Sequence, residues 1–163
     1  MNDKDFMTEY DAIFERALVF SIISRSMGLV SLANVLDKKK RNQRDIFEYG
    51  MMLVLDGRPP EMTDKTLTNI INLETDKEKR ILKTIQKDAV LSIQQGIPPE
   101  QIMWIMNSYV NIELDEAAEK YNKINEFISK EITNEFASIQ DKYGDIYKQV
   151  SEKILNKINF GKN

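Results

Sequence analysis

Apolar residues recur along this chain at steps of three and four, the spacing of one helix face, and no run of alternating β-branched residues interrupts them. From Thr8 to about Asp37 the positions Ile13, Phe14, Ala17, Leu18, Phe20, Ile23 and Met27 make a wide stripe, and Thr8-x-x-Asp11 resembles a helix-opening cap. This stretch is expected to be the central helix. Gly28 lies inside it. Because a glycine within a helix costs about 1 kcal/mol relative to alanine, its presence predicts that a backbone or a bulky side chain comes close there. A second helix opens at Asp45, presents Ile46, Phe47, Met51, Val54 and Leu55, and stops at Gly57, placed as a left-handed terminating residue. Pro59 and Pro60 end one helix and start a third, with Met62, Leu67, Ile70 and Ile71. Thr75-x-x-Glu78 is the expected cap of a fourth, carrying Ile81, Leu82, Ile85, Ala89, Val90 and Ile93 up to Gly96. After Pro98 and Pro99 a short helix holds Ile102, Trp104, Ile105, Met106, Tyr109 and Val110, apolar on most sides and therefore expected to be well buried.

From Leu114 the character changes. Leu114, Ala117, Tyr121, Ile124 and Ile128 alternate steps of three and four, and Ile132, Phe136, Ile139, Tyr143, Ile146, Val150 and Ile154 resume that alternation after extra steps of four, a stutter in a heptad pattern. The expected fold is an all-α bundle of about six helices: a core over 1–113, then a tail over 114–163 that is one long amphipathic helix or a hairpin folded near Gly144. A stripe of that length outruns what a compact domain of this size can cover. Contact with a partner, in a homo-oligomer or a hetero-complex, is expected through Tyr121, Ile128, Ile132, Phe136, Ile139 and Tyr143.

One pattern repeats. Gly57-Arg58-Pro59-Pro60-Glu61 recurs 39 residues later as Gly96-Ile97-Pro98-Pro99-Glu100, and at the same offset Asn72 matches Asn111 and Glu74 matches Glu113. Two accounts fit: convergence on one good helix connection, or duplication of a helical hairpin.

Composition narrows the chemistry. The 163 residues are 42% hydrophobic, enough for one core, and the formal charge of −3 with a pI near 5.2 argues against a general nucleic-acid binder. With no cysteine and no histidine there is no disulfide, no thiolate zinc site, and neither the usual metal ligand nor the usual general base. The 26 carboxylates are spread at no distinctive spacing. No enzymatic activity and no cofactor are expected. The longest apolar run, Ala17 to Ile23, is far shorter than the roughly 20 residues of a membrane span. The N-terminus lacks the basic-then-apolar order of a signal peptide, so a cytoplasmic protein is expected. Lys38, Lys39, Lys40 and Arg41, with Arg44 beyond, form a charged loop that is either merely solvated or a contact for an acidic partner. The eight methionines, Met51, Met52, Met103 and Met106 among them, are either core filler or an adaptable docking groove.

Ser24-Arg25-Ser26-Met27-Gly28-Leu29-Val30-Ser31-Leu32, followed by Met51 to Gly57 and then Leu67 to Glu74, resembles the cytoplasmic domain of MotA-type flagellar stator subunits over about residues 20–74. In that family a Ser-Arg-x-x-Gly helix precedes an apolar helix closed by Asp-Gly or Ser-Gly and then an acid-rich helix. The resemblance implies that Arg25 contacts an acidic residue of the rotor switch protein. The acidic residue that the family carries eight positions further on is absent, because Ala33 stands there; Asp37 lies one turn beyond. The family's channel helices have no counterpart, so proton conduction is not expected. Three functions are weighed: a non-enzymatic protein of the flagellar motor, binding rotor switch or stator components; a helical adaptor or chaperone unrelated to motility that pairs its tail with a partner helix; and, against the net charge, a nucleic-acid-binding module using the Lys38 to Arg44 loop.

Overall fold

Seven consecutive residues, Ala17 to Ile23, are all buried, which requires helices on every side of the segment that carries them. In this computed structural model, which describes residues 3–34, 36 and 45–138, that segment is the second half of α1 (Asp3–Met27). A short 3-10 helix, Leu29–Asn34, follows, and then α2 (Ile46–Leu55), α3 (Pro60–Asn72), α4 (Lys77–Gln94), α5 (Pro99–Asn107) and α6 (Leu114–Ser138), with no strand among the described residues. The expected all-α bundle is therefore present. Each large side chain enclosed in it, Phe14, Leu18 and Phe47 among them, stabilises the fold by about 1.5 to 3 kcal/mol relative to exposure.

Pairs of contacts fix the directions of the helices. The Arg16 guanidinium donates to Gln86 Oε1 at 3.4 Å and the Arg25 guanidinium to the Gly96 carbonyl at 3.1 Å, so α1 and α4 run the same way. The Phe47 backbone N–H donates to Gln86 Oε1 at 3.2 Å and Gln94 Nε2 to the Arg58 carbonyl at 2.7 Å, which makes α2 parallel to α4 as well. In α3 the order reverses: Asp64 pairs with Lys87 at 2.7 Å and Glu74 with Lys83 at 2.8 Å. One side chain, Gln86, thus caps a first-turn N–H of α2 from α4 while it receives Arg16 from α1. Arg16 also pairs with the α2 cap residue Asp45 at 2.5 Å and lies 4.7 Å from the centre of the Phe47 ring. The last helix, α6, packs on α1 and α5, and Lys120 pairs with Asp11 at 2.8 Å. Between those helices, burial and neighbouring Asp11 push the Glu15 carboxyl up, and Lys120 partly offsets them.

Several sequence expectations are corrected. The first helix begins at Asp3, not at a Thr8 cap, and Thr8 Oγ1 instead donates back to the Lys4 carbonyl at 2.9 Å. It ends at Met27 rather than near Asp37, because Gly28 has φ +85 and breaks it. A Cβ at Gly28 would meet nothing within 4 Å, so the close approach expected there does not exist. It occurs at Gly50, where a Cβ would sit 2.9 Å from Leu67 Cδ1 and 2.9 Å from Val90 Cγ1. The cap of α4 is Asp76, whose carboxylate accepts from the Lys79 N–H at 2.9 Å, one residue past the expected Thr75. Met51, Met103 and Met106 are buried and belong to the core, which leaves no methionine groove at those positions.

Candidate interaction surface

The two Gly-x-Pro-Pro connections are the same structure built twice. Gly57 (φ +76) donates to the Val54 carbonyl at 3.0 Å and Arg58 to Leu53 at 3.0 Å; Gly96 (φ +70) donates to Ile93 at 3.1 Å and Ile97 to Ser92 at 2.9 Å. This is the Schellman pairing, which requires a left-handed residue that only glycine adopts without penalty. Pro59 and Pro98 then sit at the cap positions in extended backbone, and Pro60 and Pro99 occupy the first helical turn, where no N–H is needed.

The equivalence extends well beyond the turns. At the 39-residue offset Ile46 and Ile85, Phe47 and Gln86, Gly50 and Ala89, Met51 and Val90, and Val54 and Ile93 are buried in both copies, as are Thr63 and Ile102, and Leu67 and Met106. The outward positions match too. Glu61, Met62, Lys65 and Asn69 on α3 are exposed, and so are their counterparts Glu100, Gln101, Trp104 and Ser108 on and just beyond α5. The hairpin α2–α3 therefore serves as an internal control for α4–α5. At the position where the first hairpin places a solvated lysine, the second places a tryptophan that is 53% exposed.

Trp104, expected in the core, stands on the outer face of α5 because Ile102, Met103 and Met106 take the inward positions. Residues of two other helices lie near Glu100, which shares the outer face of α5 with it. Glu100 lies one turn earlier on the same face of α5. Tyr121 of α6 is half-buried, and its hydroxyl is pushed up by burial first and then by the Glu100 carboxylate, against a lowering by Arg25. Arg25, at the end of α1, is exposed and uses one N–H on the Gly96 carbonyl. Two of the expected partner-binding residues, Arg25 and Tyr121, thus lie near Glu100, which stands one turn from Trp104, and the sequence places neither Glu100 nor Trp104 in a site. The 39-residue repeat pairs Trp104 with Lys65 in the sequence, but only the packed helices show that both positions face outward.

The rest of the expected docking stripe is placed differently. Ile128 is fully buried and Ile132 is half-buried against the core, so this part of the tail is covered by the chain's own helices and Ile128 offers nothing to a partner. Ile139 and Tyr143, the side chain of Phe136, and the loop residues Lys38, Lys39, Lys40, Arg41 and Arg44 lie outside what the structure describes. Tyr109, 38% exposed, donates its hydroxyl to the Asp88 carboxylate; burial first, and then that bond, push the phenol up to about 12. The polar atoms buried without a partner include Tyr10 Oη, Thr63 Oγ1 and Asn107 Oδ1, which sit on three different helices. Among the described residues there is no cluster of three or more carboxylates placed to hold a metal ion, and no helix is long and apolar enough to cross a membrane.

No family model, curated protein or solved structure matches this chain.

Proposed function

We propose that this chain is a non-enzymatic helical adaptor that docks a partner protein on the surface formed by Trp104, Tyr121, Arg25 and Glu100. The observation that carries this reading is the substitution of tryptophan for lysine between two otherwise equivalent outward positions, Lys65 and Trp104. The turn and the hairpin's own packing do not need an apolar residue there, since the α3 copy does without one. Tryptophan and arginine are over-represented among residues that dominate binding energy. The resemblance of residues 20–74 to the stator cytoplasmic domain makes rotor switch and stator subunits the first partners to look for, with Arg25 supplying the charged contact that the resemblance implies.

The test compares affinity capture by the full chain with capture by Trp104→Lys, which installs the side chain that the equivalent position already carries. Loss of a defined protein from the captured set, at unchanged melting temperature, is the expected result. Identical captured sets would overturn the reading. Flagellar motor proteins in the lost set would support the motility setting, and their absence from it would favour an adaptor unrelated to motility.

A further inference from the structure

The same internal control says what kind of side chain the surface takes. On α3, Glu61 is followed one turn later by Lys65, the carboxylate-then-cation order at four residues that favours attraction along a helix. On α5 the carboxylate is kept as Glu100, but the cation is replaced by Trp104. Glu100 therefore has no lysine or arginine one turn away on its own helix; its neighbours at those spacings are Gly96, Ile97, Met103 and Trp104. Arg25, the cation sensed by the neighbouring Tyr121, donates instead to the Gly96 carbonyl at 3.1 Å. A carboxylate and an indole on one helix face, about 5 to 6 Å apart at their Cβ atoms, suit an ammonium or guanidinium that pairs with the acid while lying over the ring. Tryptophan is the strongest of the aromatic rings for that contact.

We infer that Glu100 and Trp104 form a receptor for a lysine or arginine side chain carried by a partner protein. The α5 face would take from a partner the cation that α3 carries in its own sequence at the equivalent position, Lys65. This rests on the proposed docking surface and adds the chemistry of its occupant.

Trp104 is the only tryptophan, so its emission reports on this site alone. A hexa-arginine peptide titrated into the full chain at low salt is expected to change that emission saturably. Glu100→Gln should weaken the binding about fivefold, while Glu61→Gln, the same change on the equivalent face without a tryptophan, should leave it within about twofold. Equal weakening by the two variants would mean diffuse attraction to an acidic protein, and would overturn the receptor. So would binding that Glu100→Gln does not alter. Emission that shifts with protein concentration before any peptide is added would place a second copy of this chain on the site and overturn the assignment to another protein. The two proposals fail separately: capture that depends on Trp104 with peptide binding indifferent to Glu100 keeps the docking surface and removes the cation receptor, and the converse result removes the surface as a site of protein docking.

Discussion

The hairpins α2–α3 and α4–α5 share a turn, a hydrogen-bond pattern and an arrangement of buried and exposed positions, yet they face different surroundings. The first presents Glu61, Met62, Lys65 and Asn69 to solvent; the second presents Glu100, Gln101, Trp104 and Ser108. Where one backbone solution is used twice, whatever differs between the copies at exposed positions is not demanded by the turn or by the hairpin's own packing. Differences inside the bundle have another cause. Gly50 and Ala89 are equivalent and both buried, but α2 must admit Leu67 from α3 and Val90 from α4 against its backbone, and only a residue without Cβ allows both. The comparison thus separates a difference set by packing from one left free for binding.

The largest expected effect breaks the comparison at its tightest point. Gly50→Leu should cost about 3 kcal/mol, because the side chain has to displace Leu67 and Val90, and even Gly50→Ala should lose more in overpacking than it gains in helix propensity. Gly28→Leu, by contrast, meets open space and should cost only the left-handed conformation, about 1 kcal/mol. Denaturant unfolding of the three variants decides the point: a Gly28→Leu loss as large as that of Gly50→Leu would contradict the packing described.

Next come the caps that open the first helix of each hairpin. Asp45 and Asp76 both accept a backbone N–H at 2.9 Å, from Glu48 and Lys79. Asp45 also pairs with Arg16 at 2.5 Å, an addition that the cap at Asp76 does not share among the described residues. Asp45→Ala is expected to cost about 1.5 kcal/mol and Asp76→Ala about 1 kcal/mol, the excess being a partly exposed ion pair. Measured in an Arg16→Met background, Asp45→Ala should cost no more than Asp76→Ala does in the parent chain, which thermal melting of the four variants checks.

Below these stand the turns themselves. Gly57→Ala and Gly96→Ala should each lose about 1 kcal/mol for placing a Cβ at positive φ, equal to within about 0.5 kcal/mol and additive in the double variant. A large inequality would mean that the two connections are not energetically equivalent despite their shared geometry.

These equivalences explain why much of the fold is legible in the sequence and part of the site is not. Helix ends marked by glycine at positive φ or by paired prolines, at Gly57, Pro60, Gly96 and Pro99, fall where the sequence places them, because these residue types act through their own backbone and need no tertiary context. Gly28, expected to admit a close neighbour, ends a helix instead, and Gly50, to which the sequence gives no role, is where the close neighbours come. Whether a glycine ends a helix or admits a neighbour depends on what packs against it, and periodicity carries no information about that. The side on which Trp104 stands is hidden for a related reason: α5 is so rich in apolar residues that its stripe has no unique orientation until α1, α4 and α6 claim Ile102, Met103 and Met106. Ile128, expected at an interface, is buried because α6 lies on α1, a long-range choice that no local pattern encodes.

The smallest expected stability effect is the sharpest test of the comparison. If Lys65 and Trp104 occupy equivalent solvent-facing positions, exchanging them moves the only tryptophan of the chain from α5 to α3 without touching the core. The double variant Lys65→Trp, Trp104→Lys should then keep its stability within about 0.5 kcal/mol, as surface substitutions away from caps and buried partners generally do. Its tryptophan should stay open to a neutral quencher, since each indole would follow a Gly-x-Pro-Pro turn at the same distance and sit one turn past a glutamate. Binding should not follow the tryptophan. On α3 the indole would have Glu61 one turn before it but not the Tyr121 and Arg25 that lie near Glu100, so partner capture through the α5 surface should be lost although the indole remains accessible. Retained capture would mean that a glutamate and a tryptophan one turn apart suffice wherever they stand, and would remove Tyr121 and Arg25 from the surface. A blue-shifted, poorly quenched indole on α3 would show instead that the two outward faces are not equivalent, and would take away the internal control on which the choice of Trp104 depends.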